Sequence, residues 1–304
     1  MKNSAPINQS STTYRASTIK HERRTKAQLN QLDKQIMDVL QEDHPQSVRH
    51  IFYRMTDPRL PEPVEKSDRG YRHVQHRCLQ LRRSRLIPYS WIADMSRQGY
   101  CVNTYSSASD FILSVAGHYR ADLWRDADCR CEVWVESRSI ASVLLRDCRE
   151  LAVGLFPCGG FSSVSFVHEA AENHNHSDDT RPLVIFYIGD FDPAGVLIDL
   201  SLEKELRLHL DPSIELDFRR IAINEEQIEL YQLPTKPRKN SDKRSGQVKE
   251  TVEAEAMPAK SLRQLLRMHV EDLLPENALH VTKVAEQSEK EHLVRMANQL
   301  WSKQ

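Results

Sequence analysis

Two patterns of apolar residues recur along this chain: short continuous runs and longer stretches with helical spacing. Residues 183–188 (LVIFYI) are apolar throughout and rich in β-branched and aromatic side chains. Such a run predicts a strand of a parallel sheet that is buried on both faces. Residues 132–135 predict a second strand, and helical spacing predicts a helix that begins near Lys26 and another over 196–210. These elements predict an α/β fold with a mainly parallel sheet flanked by helices.

Carboxylates follow both predicted strands. Glu136 comes after the first, and Asp190 and Asp192 come after the second. Side chains two residues apart on an extended backbone point the same way, so the two aspartates can approach one cation. If the strands are neighbours, all three carboxylates face one crevice at the carboxyl edge of the sheet. Hard oxygen ligands of this kind suit Mg²⁺, with Mn²⁺ as a substitute. Taken singly, each motif is more often a plain solvated loop.

A helical segment upstream carries a candidate nucleophile. Residues 46–55 (QSVRHIFYRM) have apolar positions that fit one helix face. Arg49 and Tyr53 are four residues apart, so they share a face and can both address one phosphate. A phenol with a pKa of about 10 is a poor nucleophile at neutral pH, so we expect a neighbouring cation or metal to favour the phenolate. The alternative is that Phe52 and Tyr53 are ordinary packing residues.

These motifs resemble a known family. The sequence D-x-D-P-x-G after a buried strand, with a preceding strand that ends in Glu, resembles the Toprim domain of topoisomerases, primases and related nucleases. The string VRHIFY resembles the nucleophile motif of the topoisomerase VI A subunit and of its eukaryotic meiotic double-strand-break relative. The order of elements is compatible from about residue 26 to 275, and the short chain is most similar to stand-alone mini-A proteins. Ser137 stands where the family often has Lys.

The resemblance implies a domain organisation, which a length of 304 residues supports. We expect a flexible tail over 1–25 and a helical, winged-helix-like DNA-binding domain over 26–125. A Toprim metal-binding domain with a C-terminal helical extension would then occupy 126–304.

The resemblance also implies roles for individual residues. Tyr53 and Arg49 would be catalytic, and Glu253, in an acidic segment near the C-terminal helices, would be a supporting acid. The residues implied as metal ligands are Glu136, Asp190 and Asp192.

The reaction implied is Mg²⁺-dependent transesterification, which leaves a 5′-phosphotyrosyl link between protein and DNA. In the family the tyrosine of one subunit meets the metal of the other, so a homodimer would cut both strands. The sequence contains no ATP-binding loop, so ATP-driven strand passage would need a separate ATPase partner. Two alternatives remain open: a hydrolytic Toprim nuclease in which water attacks, and a non-catalytic DNA-binding factor for replication or maintenance.

The distribution of charge agrees with double-stranded DNA as a partner. A net charge of -1 excludes a globally basic DNA-coating protein, but residues 69–97 contain seven arginines and a single acid, Asp94. Such a stripe suits a phosphate backbone. A solvated helix face is the alternative. The candidate DNA-binding residues are Arg72, Arg77, Arg82, Arg83 and Arg85.

Two further features bear on location and metal type. No apolar segment approaches the ~20 residues that span a bilayer, and the first residues lack the apolar core of a signal peptide. We expect a cytoplasmic, nucleoid-associated protein of bacterial, plasmid or phage origin, without membrane contact. Zinc ligation by Cys129, Cys131, His174 and His176 is an alternative, although their spacing is tighter than in usual structural zinc sites.

Overall fold

The computed structural model describes residues 24–93, 102–159, 164–192, 195–237 and 250–301. The predicted tail over 1–25 therefore lies outside the described residues, apart from Arg24 and Thr25.

Three helices pack together in the N-terminal part: α1 (Lys26–Glu42), α2 (Val48–Met55) and α3 (Asp68–Arg83). Each begins after a hydroxyl residue, Thr25, Ser47 or Ser67, whose side chain accepts a backbone N–H of the first turn. Their apolar faces share one buried cluster. An isolated bridge between Gln46 and Ile92 is the only strand pairing in the described part of 26–125. A two-stranded wing is thus not seen there.

A four-stranded sheet is the centre of the C-terminal part. Its strands are β1 (Arg130–Val135), β2 (Gly154–Pro157), β3 (Leu183–Ile188) and β4 (Leu216–Ala222). They pair in the order β2-β1-β3-β4, and every pairing is parallel. All six residues of β3 are buried. The two predicted strands are therefore real and adjacent, and the expected α/β class with a parallel sheet is confirmed.

Helices cover both faces of this sheet. The helices that follow the strands are α5 (Arg138–Glu150), α6 (Val164–Asn175), α7 (Gly195–His209), α8 (Glu225–Leu230) and α9 (Ala259–Glu271). Apolar residues of α5 and α9 share one core cluster with one face of the sheet, and those of α6 and α7 share another cluster with the opposite face. The result is a three-layer sandwich. A two-residue ladder, β5 (Lys236–Pro237) with β6 (Glu250–Thr251), lies outside the main sheet.

One helix of the predicted first domain packs elsewhere. Helix α4 (Ala108–Ala116) lies within 26–125, but it packs against the C-terminal helix α10 (Ala278–Trp301). The Ser109 hydroxyl donates a hydrogen bond to the Ala297 carbonyl at 2.8 Å. Among the described helices, none is both long and apolar enough to cross a bilayer.

Polar contacts dock the N-terminal helices onto the sheet domain. The Ser139 hydroxyl donates to the Ser47 hydroxyl at 2.8 Å. Arg263 of α9 forms an ion pair with Asp43 and donates to the Pro45 carbonyl at 3.0 Å. These contacts place the first turn of α2 beside the first turn of α5, and thus close to the carboxyl edge of the sheet.

Candidate active site

The order of the strands creates a crevice at one edge of the sheet. From β1 the chain moves to β2 on one side, and it then returns across β1 to β3 on the other. In open α/β sheets, ligands bind at the carboxyl ends of the strands where the chain reverses direction in this way. Glu136 and Asp190 are at the ends of β1 and β3, so they flank this crevice.

The Glu136 carboxylate folds back onto the end of β3. Its Oε2 atom accepts a hydrogen bond from the backbone N–H of Asp190 at 2.9 Å. Gly189 permits this approach, because a Cβ there would lie 2.8 Å from Glu136 Oε2 and 2.6 Å from the Tyr187 hydroxyl. The glycine before Asp190 is therefore required by close packing around Glu136.

The two aspartates after β3 also accept backbone N–H groups. Asp190 Oδ1 accepts from Ala254 at 2.8 Å, and Asp192 Oδ1 accepts from Gly195 at 2.6 Å. A Cβ on Gly195 would lie only 2.2 Å from the Asp190 carbonyl oxygen, so this tight loop needs glycine. The loop thus turns both carboxylates toward the chain's own amides.

Like charges are concentrated at this edge. Burial raises the pKa of Asp190 to about 8, and the charges of Glu136 and Glu255 add to the effect. Burial also raises the pKa of Glu136, with the charges of Asp192 and Glu255 acting in the same direction. Each predicted ligand is therefore within electrostatic reach of another. A bound cation would relieve the repulsion and favour the ionised carboxyls.

The donor chemistry of this cluster fits Mg²⁺, since only carboxylate oxygens are involved. In the described part of the chain, however, no group of three or more His, Cys, Asp or Glu side chains is already arranged around a common metal position. Among the residues considered for zinc, His174 Nε2 lies 3.0 Å from Glu132 Oε1 instead. In this metal-free state one oxygen of each of Glu136, Asp190 and Asp192 accepts a backbone N–H.

Arg220 holds the loop that carries the aspartates, and the sequence motifs gave no sign of it. Its guanidinium donates to the carbonyls of Gly189 at 3.2 Å, Asp190 at 3.3 Å and Gly195 at 2.7 Å. It also forms an ion pair with Asp199 of α7 at 2.5 Å. One side chain of β4 thus links the end of β3 to the start of α7, and it acts as a positioning residue.

Tyr53 contacts the sheet domain of its own chain. The Tyr53 side chain is buried in α2, with 6% of the residue exposed, and its phenol lies close enough to the Glu253 carboxylate for each group to shift the pKa of the other. Burial raises the pKa of the phenol above its ordinary value, and the charge of Glu253 raises it further. The charge of Arg49 acts in the opposite direction but does not prevail. Arg49 thus favours the phenolate, as expected of a neighbouring cation, but burial and Glu253 outweigh it in this metal-free state.

Glu253 is surrounded by donors. It forms ion pairs with Arg49 and with Lys236, the latter at 2.9 Å. Burial acts to raise the pKa of Glu253, but the hydrogen bond from Lys236, the nearby Tyr53 phenol and the Arg49 charge lower it to about 2. Lys66 completes the surroundings, because its Nζ atom lies 5.4 Å from the centre of the Tyr53 ring. Neither lysine was among the candidate site residues named from the sequence.

A short acidic segment joins Tyr53 to the carboxylate cluster. Val252 pairs with Phe191 through two backbone hydrogen bonds of 2.8 Å. Glu253 then contacts Tyr53, the Ala254 N–H binds Asp190, and Glu255 accepts from the Ser137 hydroxyl at 3.1 Å.

Ser137, at the position where the resembled family often has Lys, has a structural role here. The Ser137 hydroxyl also caps α5 by accepting the Ile140 N–H at 3.1 Å. Arg138, the next residue, is exposed to solvent. Its charge is therefore not buried with the cluster.

The arginines proposed for DNA binding fall into two groups. Arg77 forms a two-pronged ion pair with Asp33, and Arg82 donates to the carbonyls of Tyr89 at 2.8 Å and Ile92 at 2.6 Å. Both thus stabilise the N-terminal helices. The exposed members of the set are Arg72, Arg83 and Arg85.

Comparisons with protein-family models, with curated proteins and with solved structures gave no match to this chain.

Proposed function

We propose that this protein is a Mg²⁺-dependent DNA-cleaving transesterase of the topoisomerase VI A type, with Tyr53 as the nucleophile. The observation that carries the proposal is that Glu253, which forms an ion pair with Arg49 on the Tyr53 helix, directly precedes the amide that holds Asp190. Residues 137 positions apart in sequence, Tyr53 and Asp190, are thereby joined at one edge of the sheet.

The proposed chemistry conserves the number of phosphoester bonds. The Tyr53 oxygen forms a bond to phosphorus, the bond from phosphorus to the 3′ oxygen breaks, and the 5′ end of the DNA remains on the tyrosine. The 3′ oxygen leaves with a proton, and no water is consumed. A bound Mg²⁺ would supply charge neutralisation at the scissile phosphate.

The chain's own residues have distinct tasks in this scheme. Glu253 lies beside the Tyr53 phenol, so it is placed to receive the proton as Tyr53 attacks. Arg49, on the same face of α2, stabilises negative charge on the phosphate. Glu136, Asp190 and Asp192 would hold the metal, and Arg220 keeps their loop in place.

The proposal extends to domains and partners. We assign residues 126–304 to a Toprim-like domain with a helical extension, and helices α1, α2 and α3 within 26–125 to a winged-helix-like unit that receives double-stranded DNA. The exposed Arg72, Arg83 and Arg85 would bind its backbone. A homodimer would cut both strands, and a separate ATPase partner would be needed for strand passage. Because the contact between Tyr53 and Glu253 lies within one chain, we propose that each chain holds a complete site.

The test is cleavage of supercoiled and end-labelled duplex DNA with Mg²⁺ or Mn²⁺, stopped with detergent and analysed with and without protease. We expect cut DNA that enters the gel only after protease treatment, and no cutting by Tyr53→Phe. The matched control is Tyr231→Phe, which removes the hydroxyl of a more exposed tyrosine in a loop after α8. Absence of protease-dependent product would contradict the proposal.

A hydrolytic Toprim nuclease is the second candidate. It is favoured by the burial of Tyr53 and the raised pKa of its phenol, which make the tyrosine a weak nucleophile in the free protein. This candidate predicts free DNA ends and cutting that survives Tyr53→Phe. Binding of DNA with no cutting under either metal would instead indicate a non-catalytic DNA-binding factor.

A further inference from the structure

Three cationic side chains converge on Tyr53 from separate segments of the chain. Arg49 comes from α2, Lys66 from the loop before α3, and Lys236 from β5. Arg49 and Lys236 both pair with Glu253, and the Nζ atoms of Lys66 and Lys236 lie 5.4 and 5.9 Å from the centre of the Tyr53 ring. We call Arg49, Lys66 and Lys236 the basic cradle.

The cradle carries more positive charge than its internal partner can balance. Among the described residues, three cations surround Glu253 and the charge of Glu255 also reaches Arg49, so the cations outnumber these carboxylates by one. Lys66 donates to the neutral carbonyls of Pro234 at 2.7 Å and Thr235 at 3.3 Å. Burial lowers the pKa of Lys66 to about 8, and the charge of Lys236 lowers it further. Such mutual repulsion between cations is relieved when an additional anion binds.

The position of Glu253 relative to Tyr53 shows where that anion would sit. Glu253 pairs with Arg49 and with Lys236, whose Nζ atom lies 5.9 Å from the centre of the Tyr53 ring, so the anionic group is already held beside the nucleophile. Arginine and lysine donors bind carboxylate and phosphate oxygens with similar geometry. The site is also reachable, because the side chains of Arg49 and Lys236 are each 43% exposed and that of Glu253 is 26% exposed.

We infer that the basic cradle is the binding site for the phosphodiester that Tyr53 attacks, and that Glu253 occupies this site in the free protein as an internal substitute for the phosphate. The inference rests on the proposed function for its substrate class, a DNA phosphodiester. When DNA binds, the phosphate replaces the Glu253 carboxylate among the donors of Arg49 and Lys236, and Glu253 stays beside the phenol to receive its proton. Lys66 and Lys236 are thus substrate-binding residues that no sequence motif indicated.

The experiment measures binding of a fluorescein-labelled duplex in EDTA, at several salt concentrations, in a Tyr53→Phe background. No covalent link can form there, so binding is separated from cleavage. We expect Lys66→Gln and Lys236→Gln each to weaken binding about fivefold to tenfold and to reduce the salt slope by about one. Lys66→Arg and Lys236→Arg should retain binding. The control Lys204→Gln removes an exposed charge on α7 and should change affinity less than about twofold.

Glu253→Gln should change DNA affinity in the opposite direction from the lysine variants. Removing the internal anion should strengthen DNA binding beyond the effect of Glu229→Gln, which makes the same charge change at an exposed position of α8. Equal affinities for these two variants would overturn the role of Glu253. If Lys66→Gln and Lys236→Gln bind DNA as well as Lys204→Gln does, the basic cradle is not the phosphate-binding site. Thermal melting shows whether the lysine variants fold; if they do not, the comparison of Glu253→Gln with Glu229→Gln tests the inference. If these variants change DNA binding as expected but the cleavage assay gives no protein-linked DNA, the proposed cleavage is contradicted and the inference about the basic cradle stands.

Discussion

Glu136 Oε2 accepts the backbone N–H of Asp190 at 2.9 Å, and this bond joins the carboxyl ends of β1 and β3. It places one acidic side chain against the backbone of another acidic residue at the point where the strand order reverses. The two carboxyls then share a poorly solvated space, and both have raised pKa values for this reason. Several measurable properties follow from this relationship.

Metal binding should release protons near neutral pH. With a pKa of about 8, Asp190 is mostly protonated at pH 7, whereas a metal ligand must be ionised. We expect Mg²⁺ binding to release about one proton at pH 7 and to tighten as the pH rises from 6 to 9. Calorimetry in two buffers of different ionisation enthalpy measures this release. It should disappear in Asp190→Asn and persist in Glu253→Gln, since Glu253 is already ionised. Metal binding without proton release would contradict the account.

Asp190 should also make the free energy of unfolding depend on pH in the absence of metal. The folded-state pKa of Asp190 lies above its ordinary value of 3.8, so its contribution to stability is complete below about pH 4. That contribution is lost as the pH rises through 8. Urea unfolding in EDTA should therefore show wild-type protein losing stability between pH 5 and pH 9 relative to Asp190→Asn. Parallel pH profiles for the two proteins would show that Asp190 is not shifted.

Removal of Arg220 should damage both stability and metal binding. Arg220→Met leaves Asp199 without its partner in a site where the side chains of Arg220 and Asp199 are only 14% and 13% exposed. Loss of one member of such a pair costs about 3 kcal/mol of unfolding free energy. Metal affinity should fall by about tenfold or more, because the aspartate loop loses its donor. In the double variant Arg220→Met with Asp199→Leu, urea unfolding should show stability recovered, while calorimetry should show metal affinity still reduced. Full recovery of both would contradict a positioning role.

We expect Ser137 to stabilise the start of helix α5. We do not expect a lysine at this position to improve activity. Ser137→Ala removes the cap on the Ile140 N–H and the bond to Glu255, so unfolding free energy should fall by about 1 kcal/mol. Ser137→Thr keeps a hydroxyl and should remain close to wild type in chemical denaturation. If Ser137→Lys were more stable or cut DNA faster than wild type, this interpretation would be wrong.

Complementation between chains tests whether one chain holds a complete site. Tyr53→Phe lacks the nucleophile and Asp190→Asn lacks a metal ligand, so each should be inactive alone. Because Tyr53 and Glu253 meet within one chain, a mixture of the two variants should also be inactive after exchange of subunits. Recovery of cutting in the mixture would show that the tyrosine acts on the acidic cluster of a partner chain. The control is a mixture of wild type with either variant, which should retain cutting.

Local patterns predicted the sheet edge well because its elements carry their own signals. The run 183–188 is buried at every position, and Asp190 follows it directly. The contact between Tyr53 and Glu253 could not be predicted in this way, since it joins residues 200 positions apart. Arg220 was missed because most of its partners are backbone carbonyls, which leave no mark on composition, and its one acidic partner, Asp199, is 21 residues away. Arg77 and Arg82 show the converse, because a basic stripe does not reveal which cations are used within the fold.

The most direct test of the central claim is to identify the residue that carries DNA after cleavage. Covalent protein–DNA complexes formed with Mg²⁺ would be digested with nuclease and trypsin, and the peptides analysed by mass spectrometry. Trypsin cuts after Arg49 and Arg54, so the account predicts a nucleotide on Tyr53 within the peptide of residues 50–54. A nucleotide attached to any other residue, or cut DNA with no attached peptide, would contradict Tyr53 as the nucleophile.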